Sequence, residues 1–130
     1  MTSSKNNKYP IHALWDNILF IPIHGIIDSK SGQDIMDSIL VKIHETSAKV
    51  IILDILGVDA VDSAVANHLI KITSATELMG STCIISGISP HVAQTIVGLG
   101  LDLGPVETQS NLRAAFEQAL TMINMEIVKK

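Results

Sequence analysis

The chain has 130 residues, 47% of them hydrophobic and only 3% aromatic, with a formal net charge of -4. This length is enough for one domain with a buried core, and an aliphatic interior favours α/β packing. Nine basic residues against thirteen acidic ones, with no stripe of lysine or arginine, argue against nucleic acid as a partner.

The first residues, MTSSKNNK, offer almost nothing to bury. They predict a flexible N-terminus over 1–9 and a single domain over 10–126. The start has no apolar core of a secretory signal, and no apolar stretch reaches the roughly 20 residues that cross a bilayer. These absences predict a cytoplasmic protein with no membrane partner.

Two short apolar segments come next, Ile11–Leu14 and Ile18–Ile23. The polar pair Asp16-Asn17 between them is typical of a turn. The pattern predicts two paired strands. Because proline cannot donate to a strand ladder, Pro22 predicts a sheet edge or a strand end.

Helices and strands then alternate along the chain. Apolar residues spaced by three and four predict amphipathic helices, and short β-branched runs predict strands buried on both faces, as in a parallel sheet. This order predicts an α/β fold, with a mixed, mostly parallel sheet of four to five strands and about four helices. In chain order, we predict a helix from Ser29 or Ser31 to about Glu45, a strand at Lys49–Ile55, a helix from Ser63 to Gly80, a strand at Thr82–Ser86, a helix from Ser89-Pro90 to Gly98, a strand of at most Val106–Thr108, and a helix capped by Ser110.

An apolar run closed by Asp-Ser occurs twice, at residues 26–29 and 60–63, and each copy opens a predicted helix. The hydroxyls of Ser29 and Ser63 are therefore placed where a helix begins. A serine there can cap the helix, which contributes about 1 kcal/mol. It can also be a residue that another protein phosphorylates. Periodicity alone favours capping.

The sequence lacks the usual motifs of catalysis and metal binding. The glycines of Gly98–Gly104 do not have phosphate-loop spacing, and the zinc-protease pattern that begins at His44 lacks its second histidine. Cys83, in an apolar run, is interpreted as a small buried hydrophobe. A hydrolase or transferase that uses Ser63 with His68 is an alternative, although helical residues five apart point about 140° away from each other. The prediction is no enzyme, no cofactor and no metal.

Several features coincide within residues 10–120. They are the buried strand ending at Asp54, the Val61-Asp62-Ser63 turn, Leu78-Met79-Gly80 and the helix entry Gly87-Ile88-Ser89-Pro90. Together they resemble the STAS domain, the fold of bacterial anti-sigma-factor antagonists and of sulfate-transporter tails. Within that family the chain looks most like the RsbR and RsbS proteins of the stressosome. The resemblance implies the STAS fold.

The same resemblance implies two phosphorylation sites. Antagonists of the family are phosphorylated on a Ser or Thr that follows an Asp at the start of the second helix, which implies Ser63. RsbR-type chains carry a second acceptor after the first long strand, which implies Ser29. RsbS-type chains usually lack it, so Ser29 favours the RsbR type. The predicted partner-binding residues beside these serines are Asp28, Asp59, Asp62 and Asn67.

By resemblance, the predicted function is a non-enzymatic scaffold and regulatory module of a stressosome-like complex. It binds a serine/threonine switch kinase, is phosphorylated by it and controls stress-response signalling, together with other STAS-domain proteins in a homo- or hetero-oligomer. RsbR proteins also carry an N-terminal sensory domain, so we expect an excised domain or a single-domain paralogue. The alternative is a single-domain anti-sigma-factor antagonist, whose acceptor motif Asp-Ser-Ser-Gly-Leu-Gly differs from Asp62–Asn67 here.

Overall fold

The computed structural model describes residues 9–100, 103 and 106–130, and residues 1–8 of the predicted N-terminus lie outside this part. The described residues form five strands and four helices. The strands are β1 (His12–Trp15), β2 (Ile18–Gly25), β3 (Val50–Val58), β4 (Thr82–Ser86) and β5 (Glu107–Thr108). The helices are α1 (Ser29–Thr46), α2 (Ser63–Leu78), α3 (Pro90–Gly98) and α4 (Leu112–Met122).

The strands form one sheet in the order β1-β2-β3-β4-β5. The pair β1 and β2 is antiparallel, and each later neighbour is parallel. The helices α1 and α2 are therefore crossovers between adjacent parallel strands, as alternation of strand and helix requires. The predicted mixed, mostly parallel sheet is confirmed.

The position of Pro22 corrects one sequence prediction. The strand β2 continues through it to Gly25 and lies between β1 and β3, so the proline marks neither an edge nor a strand end. Pro22 pairs with Asp54, and the register then shifts so that His24 pairs with Gly57. The proline thus lies next to an irregularity in the ladder, where a missing donor is tolerated.

Two apolar clusters hold the sheet between its helices. Alternate side chains of a strand point to opposite faces. In β3, Ile51 and Leu53 join the cluster that includes buried residues of α1, α2 and α3, and Val50 and Ile52 join the cluster of α4. The prediction that this strand is buried on both faces is confirmed.

Some helix details differ from the prediction. Ser110 does not cap α4; the cap is Asn111, whose Oδ1 accepts from the Ala114 N–H at 2.9 Å. The helix α2 ends at Leu78, two residues before the predicted Gly80, and Met79 is its C-cap and is 42% exposed. The predicted cap of α3, Ser89, is confirmed. None of the helices in the described part has the length and apolarity needed to span a membrane.

Candidate functional site

The two Asp-Ser turns lie side by side at one edge of the sheet. They follow β2 and β3, which are parallel neighbours and end at the paired residues Gly25 and Val58. The Asp59 N–H donates to the Gly25 carbonyl at 2.9 Å, which ties the start of the second turn to the first. The helices that follow, α1 and α2, also contact each other. Both serines are therefore presented on the same edge of the molecule.

The turns have the same backbone and capping geometry. Asp28 and Asp62 are the N-caps, both extended, with φ of -112° and -103°. Each Oδ1 accepts at 2.9 Å from the N–H three residues later, which satisfies one donor of the first helical turn. The residue before each cap is buried. These residues are Ile27 and Val61, 7% and 5% exposed. The four-residue sequence echo is therefore a structural repeat.

Ser29 and Ser63 are the first residues of their helices, and both are exposed. Within the described part of the chain, neither hydroxyl makes a hydrogen bond. The expectation that these serines cap the helices is wrong, because the preceding aspartates do so. The hydroxyls are thus accessible and not needed for helix initiation. A helix N-terminus also favours negative charge, so a phosphate at either position is compatible with the fold.

The start of α1 carries an additional hydrogen bond. The Asp28 N–H donates to Ser31 Oγ at 2.9 Å, so Asp28 and Ser31 cap each other reciprocally. Of the two predicted helix starts, Ser29 is the one observed, and Asp34, three residues after Ser31, is not part of this cap. Asp34 instead forms an ion pair with Lys30 at 3.4 Å. In α2 the equivalent position is Val65, which has no side-chain oxygen.

The predicted partner-binding residues surround the two turns. Asp28, Asp59 and Asp62 are exposed, and they place three carboxylates beside the serines. Asn67 is also exposed, one helical turn beyond Ser63 and on the same face of α2. The segment from Asp59 to Asn67 contains no lysine, arginine or histidine. The second of the two turns is therefore acidic.

Two exposed apolar side chains at the same edge were not predicted. Ile26 follows β2 and is 80% exposed, and Leu56 lies near the end of β3 and is 72% exposed. The doublet Ile26-Ile27 could have indicated this exposure, since two adjacent residues in an extended segment point to opposite sides and only one of them can be buried. Large apolar residues beside charged ones are common at protein–protein contacts.

Asp54 has a structural role at the end of β3. Its Oδ2 accepts from Ser86 Oγ at 2.6 Å, and its Oδ1 accepts from the Leu56 N–H at 3.0 Å. Gly87 follows with φ of +83°, and a Cβ there would lie 2.7 Å from the Leu56 nitrogen. These contacts fix the path of β3, which continues to Val58, beyond the Ile55 at which the pattern predicted its end and the Asp54 of the family resemblance.

His68 lies between the helices and away from Ser63. A Cβ at Gly32 would lie 2.8 Å from the His68 Cγ, so the absence of a side chain in α1 lets the imidazole ring approach its backbone. His68 and Ser29 line a groove between α1 and α2. No hydrogen bond joins His68 to Ser63 among the described residues. The serine–histidine pair of the hydrolase alternative is therefore not formed.

The thiol of Cys83 is not part of this edge. The residue is fully buried in β4, and burial raises the pKa of its thiol to about 12. A thiol with so high a pKa is almost entirely protonated at neutral pH and is a poor nucleophile. The interpretation of Cys83 as a buried hydrophobe agrees with this environment.

Comparison with known proteins identifies the family of this chain. A profile of the STAS domain matches residues 11–115. The chain belongs to the STAS domain family. It is 38% identical over 119 residues to the RsbT co-antagonist protein RsbRA of Bacillus subtilis (strain 168), a match that covers 92% of this chain and 43% of that protein. The STAS chain thus spans less than half the length of this relative.

Solved STAS structures support the same assignment. RsbS of Moorella thermoacetica superposes with a TM-score of 0.76 and 29% identity, covering 91% of this chain and 99% of RsbS. A chain from a solved structure of the stressosome, described as a signal integration and transduction hub, superposes with a TM-score of 0.72 and 28% identity. The match covers 89% of this chain and 100% of that chain. The resemblance to RsbR and RsbS proteins, and the STAS fold it implied, are confirmed.

Proposed function

We propose that this STAS domain is a non-enzymatic module of a stressosome-like assembly that regulates stress-response signalling. It captures a serine/threonine switch kinase of the RsbT type and is phosphorylated by it at Ser63 and at Ser29. Related STAS domains are its other partners. The names of its relatives, an RsbT co-antagonist and stressosome proteins, support this class of function.

The observation that carries the proposal is the division of roles within each Asp-Ser pair. Asp28 and Asp62 make the capping hydrogen bonds, whereas Ser29 and Ser63 are exposed and their hydroxyls form no hydrogen bond with any described residue. A kinase can therefore reach either hydroxyl without unfolding the start of a helix. The serine oxygen attacks the γ-phosphorus of ATP, the bond to the bridging oxygen breaks, and ADP and the hydroxyl proton leave.

Phosphorylation at Ser63 then acts on the partner through charge. A phosphate adds about 1.5 to 2 negative charges. It joins the carboxylates of Asp59 and Asp62 in a segment that has no basic residue. A kinase docked on this edge, against the apolar side chains of Ile26 and Leu56, meets like-charge repulsion and a desolvation cost. The modified domain is thereby expected to release the kinase, which becomes free to act elsewhere.

Site-resolved phosphorylation tests the proposal. The domain is incubated with ATP and an RsbT-type kinase, and intact mass and fragment ions are measured. We expect added mass at Ser63, alone or with Ser29, and loss of the corresponding label in Ser63→Ala and Ser29→Ala. Ser74→Ala is the matched control, because Ser74 is an exposed serine within α2 and away from its start. Absence of label from an active kinase would refute the proposal.

A second experiment tests partner capture. Ser63→Asp should weaken binding of the switch kinase while the melting temperature stays within a few degrees, since a negative charge suits the first turn of a helix. A parallel pull-down with an anti-sigma kinase distinguishes the single-domain antagonist. Binding of the anti-sigma kinase alone would contradict stressosome-type capture. Loss of the fold in Ser63→Asp would contradict the division of roles in the Asp-Ser pair.

A further inference from the structure

The groove between α1 and α2 brings one of the two serines opposite basic side chains. Ser29 and Gly32 contribute to its α1 wall, and His68 and Lys71 to its α2 wall. Its volume is about 220 Å³. A water molecule occupies about 30 Å³ in the liquid, so a phosphate group fits within this space. His68 and Lys71 are three residues apart on α2 and face the same side of the helix.

These two basic side chains have no polar partner among the residues that the structure describes. Within the part of the chain that the structure describes, Lys71 forms no ion pair and His68 forms no hydrogen bond. Lys30, which directly follows Ser29 in sequence, is instead paired with Asp34 at 3.4 Å. Lys71 is therefore an exposed cation that lines the groove, and the His68 imidazole on the same wall lies against Gly32.

We propose that this groove is an internal binding site for the phosphate of phosphorylated Ser29, with Lys71 and His68 as the groups that receive it. The inference rests on the proposed phosphorylation of Ser29. A phosphate brings three acceptor oxygens and a lysine brings three donors, so charge-assisted hydrogen bonds can form across the groove. Such bonds connect the start of α1 to α2.

The two phosphorylation sites then differ in what their phosphates do. A phosphate on Ser63 has only acidic and uncharged neighbours from Asp59 to Asn67, so it remains directed at solvent and at the partner. A phosphate on Ser29 is drawn inward to Lys71 and fixes α1 against α2. The first modification changes the charge that a partner meets, whereas the second changes the rigidity of the surface on which the partner docks.

Proteins carrying phosphoserine at a single position test this inference. Genetic incorporation of phosphoserine at position 29 or at position 63 supplies the phosphate without a kinase. At low ionic strength we expect the melting temperature to rise by about 3–5 °C for phosphoserine at position 29, and not to rise for position 63. Lys71→Gln should abolish the rise. Lys30→Gln, the matched control next to the phosphate in sequence, should retain it.

Nuclear magnetic resonance provides a second readout that does not depend on stability. The ring signals of His68 and the side-chain signals of Lys71 should shift on modification at position 29 and stay unchanged on modification at position 63. Unchanged signals, or a melting-temperature rise that survives Lys71→Gln, would overturn the internal site. Because the phosphate is installed without a kinase, these outcomes are separate from the question of whether the kinase labels Ser63 or Ser29.

Discussion

Removing the carboxylate of Asp62 should destabilise the domain, and removing the neighbouring hydroxyl of Ser63 should not. Asp62→Ala deletes the Oδ1 that accepts from the Val65 N–H at 2.9 Å, a partly buried bond, and leaves that donor without its protein partner. Loss of an aspartate N-cap costs about 1 kcal/mol in the free energy of unfolding. For a domain of this size, the melting temperature should fall by about 3–5 °C. Ser63→Ala removes no hydrogen bond to any residue in the described part of the chain, so its effect should stay within about 0.5 kcal/mol.

Urea unfolding followed by circular dichroism measures both variants. The first turn offers a matched pair, because Asp28→Ala should lose a similar free energy and Ser29→Ala should not. Asp62→Asn retains a side-chain oxygen and should recover most of the stability. If Ser63→Ala lost 1 kcal/mol or more (about the cost of a cap) while Asp62→Ala lost none, the serine would be the cap and the division of roles in each Asp-Ser pair would be refuted.

Three further outcomes are expected. Gly32→Ala should lower the free energy of unfolding, measured with urea, by about 1–3 kcal/mol, since its methyl group would lie 2.8 Å from the His68 Cγ. Adding His68→Ala to the same chain should recover this stability. Ser86→Ala should cost about 1–3 kcal/mol through loss of the 2.6 Å bond to Asp54, measured in the same way. Burial raises the pKa of the Cys83 thiol from 9.0 to about 12, so between these pH values the thiol ionises only in the unfolded state. The free energy of unfolding should therefore fall by up to about 1.4 kcal/mol per pH unit above pH 9. The fall should be less steep in Cys83→Ala.

The elements with a strong periodic or β-branched pattern were predictable from sequence. The strand β4 was predicted at its observed bounds, and Ser89-Pro90 identified the start of α3. Both rest on local chemistry, since a capping serine and a first-turn proline act within one turn of chain. The Asp-Ser turns were likewise located correctly, because the same apolar-to-polar transition occurs in both.

The identity of each cap was less predictable. In the pairs Asp28-Ser29 and Asp62-Ser63, either side chain can cap a helix. The choice depends on which residue adopts the extended backbone of the N-cap, and in both turns this is the aspartate that directly follows a buried residue, Ile27 or Val61. The same one-residue ambiguity led to Ser110 instead of its neighbour as the cap of α4.

Contacts between elements were beyond sequence reasoning. Gly32 and His68 lie on different helices, and Asp54 and Ser86 on different strands, so no spacing within one element relates them. Exposure of Leu56 was missed for a related reason. It sits where the register of β2 and β3 shifts, and a strand pattern read as continuous does not reveal that shift.

Because the capping residue Asp62 and the proposed phosphate acceptor Ser63 are different residues, modification would not affect the lifetime of the folded protein. A regulatory serine that also held its helix would loosen the fold at every round of modification, exposing the chain to proteases and chaperones. Here the aspartate keeps the first turn bonded throughout. With Ser63 as the proposed phosphate acceptor, addition and removal of the phosphate would alternate between two folded forms, so repeated modification would not expose the chain to degradation.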